Sequence, residues 1–264
     1  MSHKRSYNGI PADEVKMFLE EKYLKYNTPS FIEFDPISIP HRFTDLRDRE
    51  VSGFLTAAIA WGRRNLILRS SRILLERMDN APYEFVISAG DDEISTLSGF
   101  VHRTFNGSDC LSFIRGLRHI YSQYNSMEDV VLEGMSETGS LKEGLSHLRS
   151  VFFSIPHATR NEKHFADVNG GAAGKRLNMF LRWMVRKDNK GVDFGIWKNI
   201  DQALLYIPLD LHSGNTARRL GLLTRKMNDW KAVEELTEIL RFFDPADPVK
   251  YDFALFGLGV NEKF

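Results

Sequence analysis

The sequence predicts an all-α fold, and three observations carry that prediction. Apolar residues recur at helical spacing along most of the chain. Val, Ile and Thr never gather into the alternating runs that a sheet requires. No low-complexity linker or repeat of solenoid period divides the 264 residues, and 42% hydrophobic against 27% charged residues is the balance of a globular protein with a substantial core. About nine to twelve helices follow from the usual helix length.

The elements take shape in order. "ADEVKMFLEEKYLKYN" sets Val15, Phe18, Leu19 and Leu24 close to one helical face. "FDPISIPHRFTDLRD" reads as an ordered connection, because Pro36 and Pro40 forbid a regular helix there. "REVSGFLTAAIAWGRRNLILRSSRILLERM" repeats apolar residues across two helices, with Gly62 as the break. "SDCLSFIRGLRHIYSQYN" carries a broad apolar face, with Ser108 or Asp109 as the expected N-cap. "SLKEGLSHLRSVFF", "GKRLNMFLRWMVRK" and "DWKAVEELTEILRFF" read the same way. "VRKDNKGVDFGIW" is expected to be a polar excursion, and "FDPADPVKYDF" a turn before a short C-terminal helix.

The polar start "MSHKRSYNGIPADE" lacks the apolar stretch of a secretory signal, and no run approaches a membrane span, so a cytoplasmic protein without a membrane partner is expected. Cys110 is the only cysteine, which excludes an internal disulfide and any metal cluster held by several thiolates. His157 and His164 have no paired ligand motif beside them, and no HExxH is present, so no metal site and no cofactor is expected.

The formal net charge is zero, but its distribution is uneven. Residues 172–226 hold eleven Lys/Arg against four Asp/Glu, residues 227–247 two against six, and residues 42–72 seven Arg against three acidic residues. Two basic zones therefore lie in a neutral whole, compatible with a polyanionic partner.

The stretch "NGGAAGKRLNMFLRW", residues 169–183, places Gly170, Gly171 and Gly174 before a helix whose first turn holds Lys175 and Arg176. Such a turn can hold a phosphate through main-chain N–H groups at the helix start. The positive end of a helix and partial burial both favour a neutral lysine amine, which is a nucleophile for an electrophilic sugar carbon. A flexible turn followed by a solvated lysine is the plainer reading of these residues alone. In "LLYIPLDLHSGNTARRLGLL", Asp210 sits between leucines before a basic helix; it is either an N-cap or a carboxylate that stabilises a developing cation.

Together these residues resemble the helix-hairpin-helix (HhH-GPD) base-excision DNA glycosylases. In the bifunctional members a lysine opens the second hairpin helix, and an essential Asp follows a short "V-P-V-D" stretch. "GGAAGKRLNMFLRWM" matches the hairpin and assigns the nucleophile role to Lys175; "IPLDLH" matches the loop and assigns the carboxylate role to Asp210. The separation of thirty-five residues is similar to that in the archaeal 8-oxoguanine glycosylase branch. "DPISIPHRFTDLRDREVSGFLTAAIAWGR" and "DPVKYDFALFGLGV" extend a similarity to a largely uncharacterised bacterial family related to these enzymes. "NGGAAG" departs from the usual "L-P-G-V-G" in lacking the proline and in its glycine pattern, so the resemblance leaves the family's standard phosphate and monovalent-cation binding open for this turn, and the four-cysteine cluster of some relatives is impossible here.

The resemblance implies a single unit, residues 1–264, of two interleaved helical lobes with an intervening cleft, the hairpin and catalytic region lying at about 160–221. It implies a monomer that binds damaged duplex or single-stranded DNA and excises a base, possible oxidised purines among them, by Lys175 attack at C1′ assisted by Asp210, with strand cleavage through a Schiff base. Gly170, Gly171, Gly174, Arg176, His212, Ser213 and Arg218 are the candidate DNA contacts. Trp61, Phe180 and Trp183 are candidates for a base pocket, with core packing as their other reading. The competing function is a non-catalytic DNA-binding module on the same scaffold.

Overall fold

The structure, a computed structural model, describes residues 5–264. Among them thirteen α-helices follow one another: α1 (Ala12–Tyr26), α2 (Pro29–Phe34), α3 (Leu46–Ala58), α4 (Arg64–Glu76), α5 (Pro82–Ser88), α6 (Asp91–Ser95), α7 (Gly107–Gln123), α8 (Met127–Met135), α9 (Leu141–Phe152), α10 (Lys175–Val185), α11 (Leu211–Arg219), α12 (Trp230–Phe243) and α13 (Tyr251–Asn261). The protein is all-α. The helices beyond the expected number are the short ones, since α2, α5 and α6 span only 6, 7 and 5 residues, too few for a periodic pattern to register. Two minimal antiparallel hairpins also form, β1 (Ser6–Tyr7) with β2 (Ile10–Pro11) and β3 (Val101–His102) with β4 (Phe105–Asn106). Pro36 and Pro40 open 3-10 turns, and the α3–α4 break falls at Gly62, where φ is +99°. The cap of α7 is Asn106, one turn earlier than expected; Asp109 completes the reciprocal capping box.

The chain divides into two compact units, each assembled from separated segments. The first takes the chain up to Phe31, then Gly170–Gly195 and Asp201–Phe264; the second takes Ile32–Asn169 and Ile196–Ile200. In the first unit, α13 packs against α1 and α11. The core there includes Trp183, Trp230, Phe243 and Phe253, all 2% exposed or less. "VRKDNKGVDFGIW" leaves the helix after Val185 and is polar and exposed at Lys187, Asn189 and Gly191, while Arg186 and Asp193 are buried as a pair.

In the second unit, α8 and α9 form a closely packed pair, and Phe54, Phe113 and Phe152 make an aromatic cluster with centroids 5.0–6.0 Å apart. Beside this core lies Glu50 of α3. Its carboxylate accepts from Tyr121 Oη at 2.5 Å, Met127 N–H at 3.2 Å and Trp197 Nε1 at 2.5 Å. One acidic group thus ties α3, α7, the start of α8 and the segment Ile196–Ile200 together. Burial pushes its carboxyl up to about 7, against the pull of these donors.

Because the folded carboxyl holds its proton more tightly than the unfolded one, stability is fully present below about 4.5 and is lost as pH rises toward about 7. The loss attributable to Glu50 is on the order of 2–3 kcal/mol. Urea unfolding followed from pH 4.5 to 8 should therefore show this downward slope in the wild type and a flatter one in Glu50→Gln. Parallel curves would remove Glu50 as the source.

Candidate active site

The glycine turn is anchored at one end and opens a helix at the other. Gly171 adopts φ +93°, its carbonyl accepts from Trp230 N–H at 2.9 Å, and Ala172 pairs with Asp229 in an isolated antiparallel bridge. The turn is thereby fixed to the start of α12. Gly174 then takes a left-handed conformation, φ +60° and ψ 25°, as the residue before α10. Glycine alone adopts that backbone at little cost, so the chain can turn directly into a helix whose first residue is Lys175. The first turn of α10 contains no acidic residue. The segment before the turn is a 3-10 helix, Thr159–His164, rather than an α-helix.

Lys175 is half-buried, and its Nζ lies 3.6 Å from Sδ of Met179, one helical turn on. Among the described residues no carboxylate lies within ion-pair distance of it.

Asp210 caps α11. Its Oδ1 accepts from Ser213 N–H at 2.9 Å and from Ser213 Oγ at 3.2 Å, while its own N–H donates to Ser213 Oγ at 2.9 Å. Asn228 fixes the Asp210 carbonyl at 2.8 Å. The N-cap reading is realised, and it does not exhaust the side chain: no hydrogen bond to Oδ2 occurs among the described residues. Ser213 is buried, and its hydroxyl is committed to Asp210, so it supports the carboxylate and is not placed to grip a phosphate.

The residue that relates the lysine to the aspartate is Asp252, the second residue of α13. It is 6% exposed and paired with Arg182 of α10, whose guanidinium lies over Phe253 at 4.4 Å. Burial pushes the Asp252 carboxyl up to about 6; Arg182 opposes the rise, the negative charge of Asp210 adds to it, and Lys175 opposes it. The Asp252 carboxyl therefore senses the charges of both Lys175 and Asp210, which stand thirty-five residues apart in sequence. Lys175 and Arg182 are seven residues apart on α10, two turns along one face, so the helix itself aligns them. Sequence reading assigned no role to Asp252. The available signal was a charge inside the otherwise apolar "YDFALFGLGV".

The other expected residues separate by burial. Gly170 is exposed at the tip of the turn. Arg176 is largely buried, which lowers its guanidinium to about 10 and leaves it cationic at neutral pH. His212 is exposed, with its ring 6.4 Å from Phe256. Arg218 donates to the Arg225 carbonyl at 2.8 Å and to Asn228 at 2.6 Å, bracing the loop that also holds Asp210. Phe180 and Trp183 are fully buried on α10, in keeping with the core-packing reading of the two. Trp61 is half-buried and belongs to the other unit. The basic zone is also partly internal: Arg182 and Arg186 are buried and paired with Asp193, Asp247 and Asp252.

The cap and the chemistry of Asp210 can be separated. Asp210→Asn keeps an N-cap acceptor for Ser213, whereas Asp210→Ala removes it at about 1 kcal/mol. Thermal melts should place Asp210→Ala roughly 2–4 °C below wild type and Asp210→Asn close to it. A large loss in Asp210→Asn would mean that the carboxylate charge itself holds the fold.

No curated protein and no solved structure matches the chain. The model of a family described as a protein of unknown function, DUF2400, matches residues 35–261, which include Lys175, Asp210 and Asp252. The chain belongs to the DUF2400 family of proteins of unknown function.

Proposed function

We propose that this protein is a DNA glycosylase with AP lyase activity on a helix-hairpin-helix scaffold. The observation that carries the reading is the placement of Lys175 as the first residue of α10 behind a left-handed glycine, with Asp210 as the N-cap of α11 and the charges of both sensed by Asp252. A nucleophilic amine and a carboxylate in one locality are what displacement at a sugar carbon requires.

In this mechanism DNA lies along exposed basic residues, and main-chain N–H groups of the Gly170–Gly174 turn position its backbone without reading sequence. The damaged nucleotide leaves the stack, because its glycosidic bond is inaccessible within the duplex. The neutral amine of Lys175 attacks C1′; the C1′–N bond breaks with its electron pair passing to the base, which takes up a proton. Oδ2 of Asp210, outside the capping interactions, stabilises the positive charge that develops on the sugar. The amine proton is lost, the sugar ring opens to a Schiff base, and elimination at the abasic site cleaves the strand.

Borohydride reduction on oligonucleotides carrying 8-oxoguanine, uracil or an abasic site tests this directly. Wild type should give a covalent adduct on at least the abasic strand. Lys175→Ala should give none, and Asp210→Asn should lower the rate at least about tenfold while binding is retained, one lost electrostatic contact being worth more than 1.4 kcal/mol. No adduct on any substrate, with salt-sensitive binding intact, would replace the enzyme by a non-catalytic DNA-binding module.

A further inference from the structure

The second unit carries a group of side chains that Lys175 chemistry does not use. Between α3 and α4 the chain turns through Trp61, Gly62 and Arg63. The Trp61 ring stacks on His164 at 5.6 Å and 20° and meets the edge of His102 at 5.3 Å and 83°. His102 in turn contacts the Trp61 carbonyl through Nε2 at 3.2 Å and Ser70 Oγ through Nδ1 at 2.9 Å. Both histidines are buried, so the turn rests on a rigid aromatic base.

Across this turn lies the tip of the β3–β4 hairpin. Arg103 occupies it with φ +55°, a left-handed conformation that costs a non-glycine residue on the order of 1 kcal/mol. Its side chain runs over Gly62: a Cβ there would lie 2.8 Å from Arg103 Nη1 and 3.1 Å from its Cδ. Glycine is thus required at 62 both for its own φ of +99° and to let the guanidinium approach. The hairpin is braced from its other side by Arg160, which donates to the Thr104 carbonyl at 3.3 Å and to Asn106 at 3.0 Å and pairs with the buried Asp109 at 3.1 Å.

The charges are arranged unequally. Asp109 is fully buried and already holds Arg160, Asn161 and the Asn106 N–H. Arg63 and Arg103 are exposed, and neither has a carboxylate partner among the described residues. Arg69 and Arg72, three residues apart on α4, are also exposed, and α4 has no acidic residue before Glu76. Four exposed arginines are more than a single small anion engages, whereas a polyanion presents many phosphates.

We propose that Arg103, laid over Gly62, and the exposed Arg63 next to Gly62 in the chain form a clamp for the phosphodiester backbone of nucleic acid on the unit that does not carry Lys175. Each planar guanidinium presents paired donors to a phosphate, and Arg69 and Arg72 add exposed positive charge on α4. The clamp rests on DNA being the partner of the proposed enzyme, but on neither the lysine nor the carboxylate that performs its chemistry.

Fluorescence anisotropy of a labelled duplex, titrated with the full chain at 50 to 300 mM salt, reads the clamp separately from catalysis. Asn tolerates the left-handed backbone at position 103, so Arg63→Gln with Arg103→Asn removes charge while keeping the hairpin. The double variant should bind at least about tenfold more weakly at the lowest salt, and its slope of log affinity against log salt should be shallower by about 1.5–2, two phosphate contacts at roughly 0.9 each. Arg63→Gln alone, at an exposed turn position, should reduce the slope by about 1 and guards against misfolding of the double variant. Lys175→Ala should keep the wild-type slope. Unchanged affinity and slope in both arginine variants, or no salt-sensitive binding by wild type, would overturn the clamp. A lysine-dependent adduct with unchanged slopes would leave the glycosylase reading standing without it; altered slopes without any adduct would leave the clamp standing without the glycosylase.

Discussion

Two buried arginines on α10 organise the first unit. Arg186 has no exposed surface and reaches Asp188 and Asp193 at 2.9 Å, Asp247 at 2.9 Å and Tyr23 Oη at 3.1 Å. Burial works against its charge, but Asp193 and Asp247 outweigh that cost and hold the guanidinium more firmly protonated than usual. Arg182, one turn earlier, joins Asp193 to Asp252. Through these pairs α1, α10, the loop after α10, the turn before α13 and α13 itself meet at two side chains. Removing one partner of such a buried pair leaves an uncompensated charge, a loss of about 3–5 kcal/mol in comparable sites. The position of Lys175 follows from this network, because it lies on the same face of the same helix, and Asp252 is held where it feels both Lys175 and Asp210.

The network also changes what the local charge count means. Part of the excess of Lys and Arg over residues 172–226 is internal, so less positive charge reaches the surface of the first unit than the sequence implies. In the second unit the opposite holds. There a buried Asp109 takes one arginine, while Arg63, Arg69, Arg72 and Arg103 stay exposed. Electrostatic attraction for a polyanion depends on this exposed remainder.

Helix class and most long elements were legible because amphipathic periodicity acts locally and repeats. Gly62 was legible as a break because a helix pattern stopped on each side of it. Short helices such as α6 were not, since five residues complete little more than one turn. The burial within residues 185–197 was not legible for a different reason: Arg186 and Asp193 look solvated in sequence, and only their mutual pairing makes burial tolerable. Phe180 and Trp183 show the same limit from the apolar side, where three-residue spacing marks a face without saying what covers it. Lys175 and Asp210 were found by motif. Asp252 was not, because its significance lies in a long-range contact with Arg182 that no local pattern encodes.

The proposed chemistry has one nucleophile, the amine of Lys175, set by a left-handed glycine at the start of α10 and sensed as a charge by Asp252. Peptide mapping by mass spectrometry of the borohydride-reduced protein–DNA adduct measures this most directly. The account predicts that the reduced sugar remnant resides on Lys175 and on no other lysine. A remnant located at a different lysine, or a wild-type chain that yields no modified peptide from abasic DNA, would contradict it.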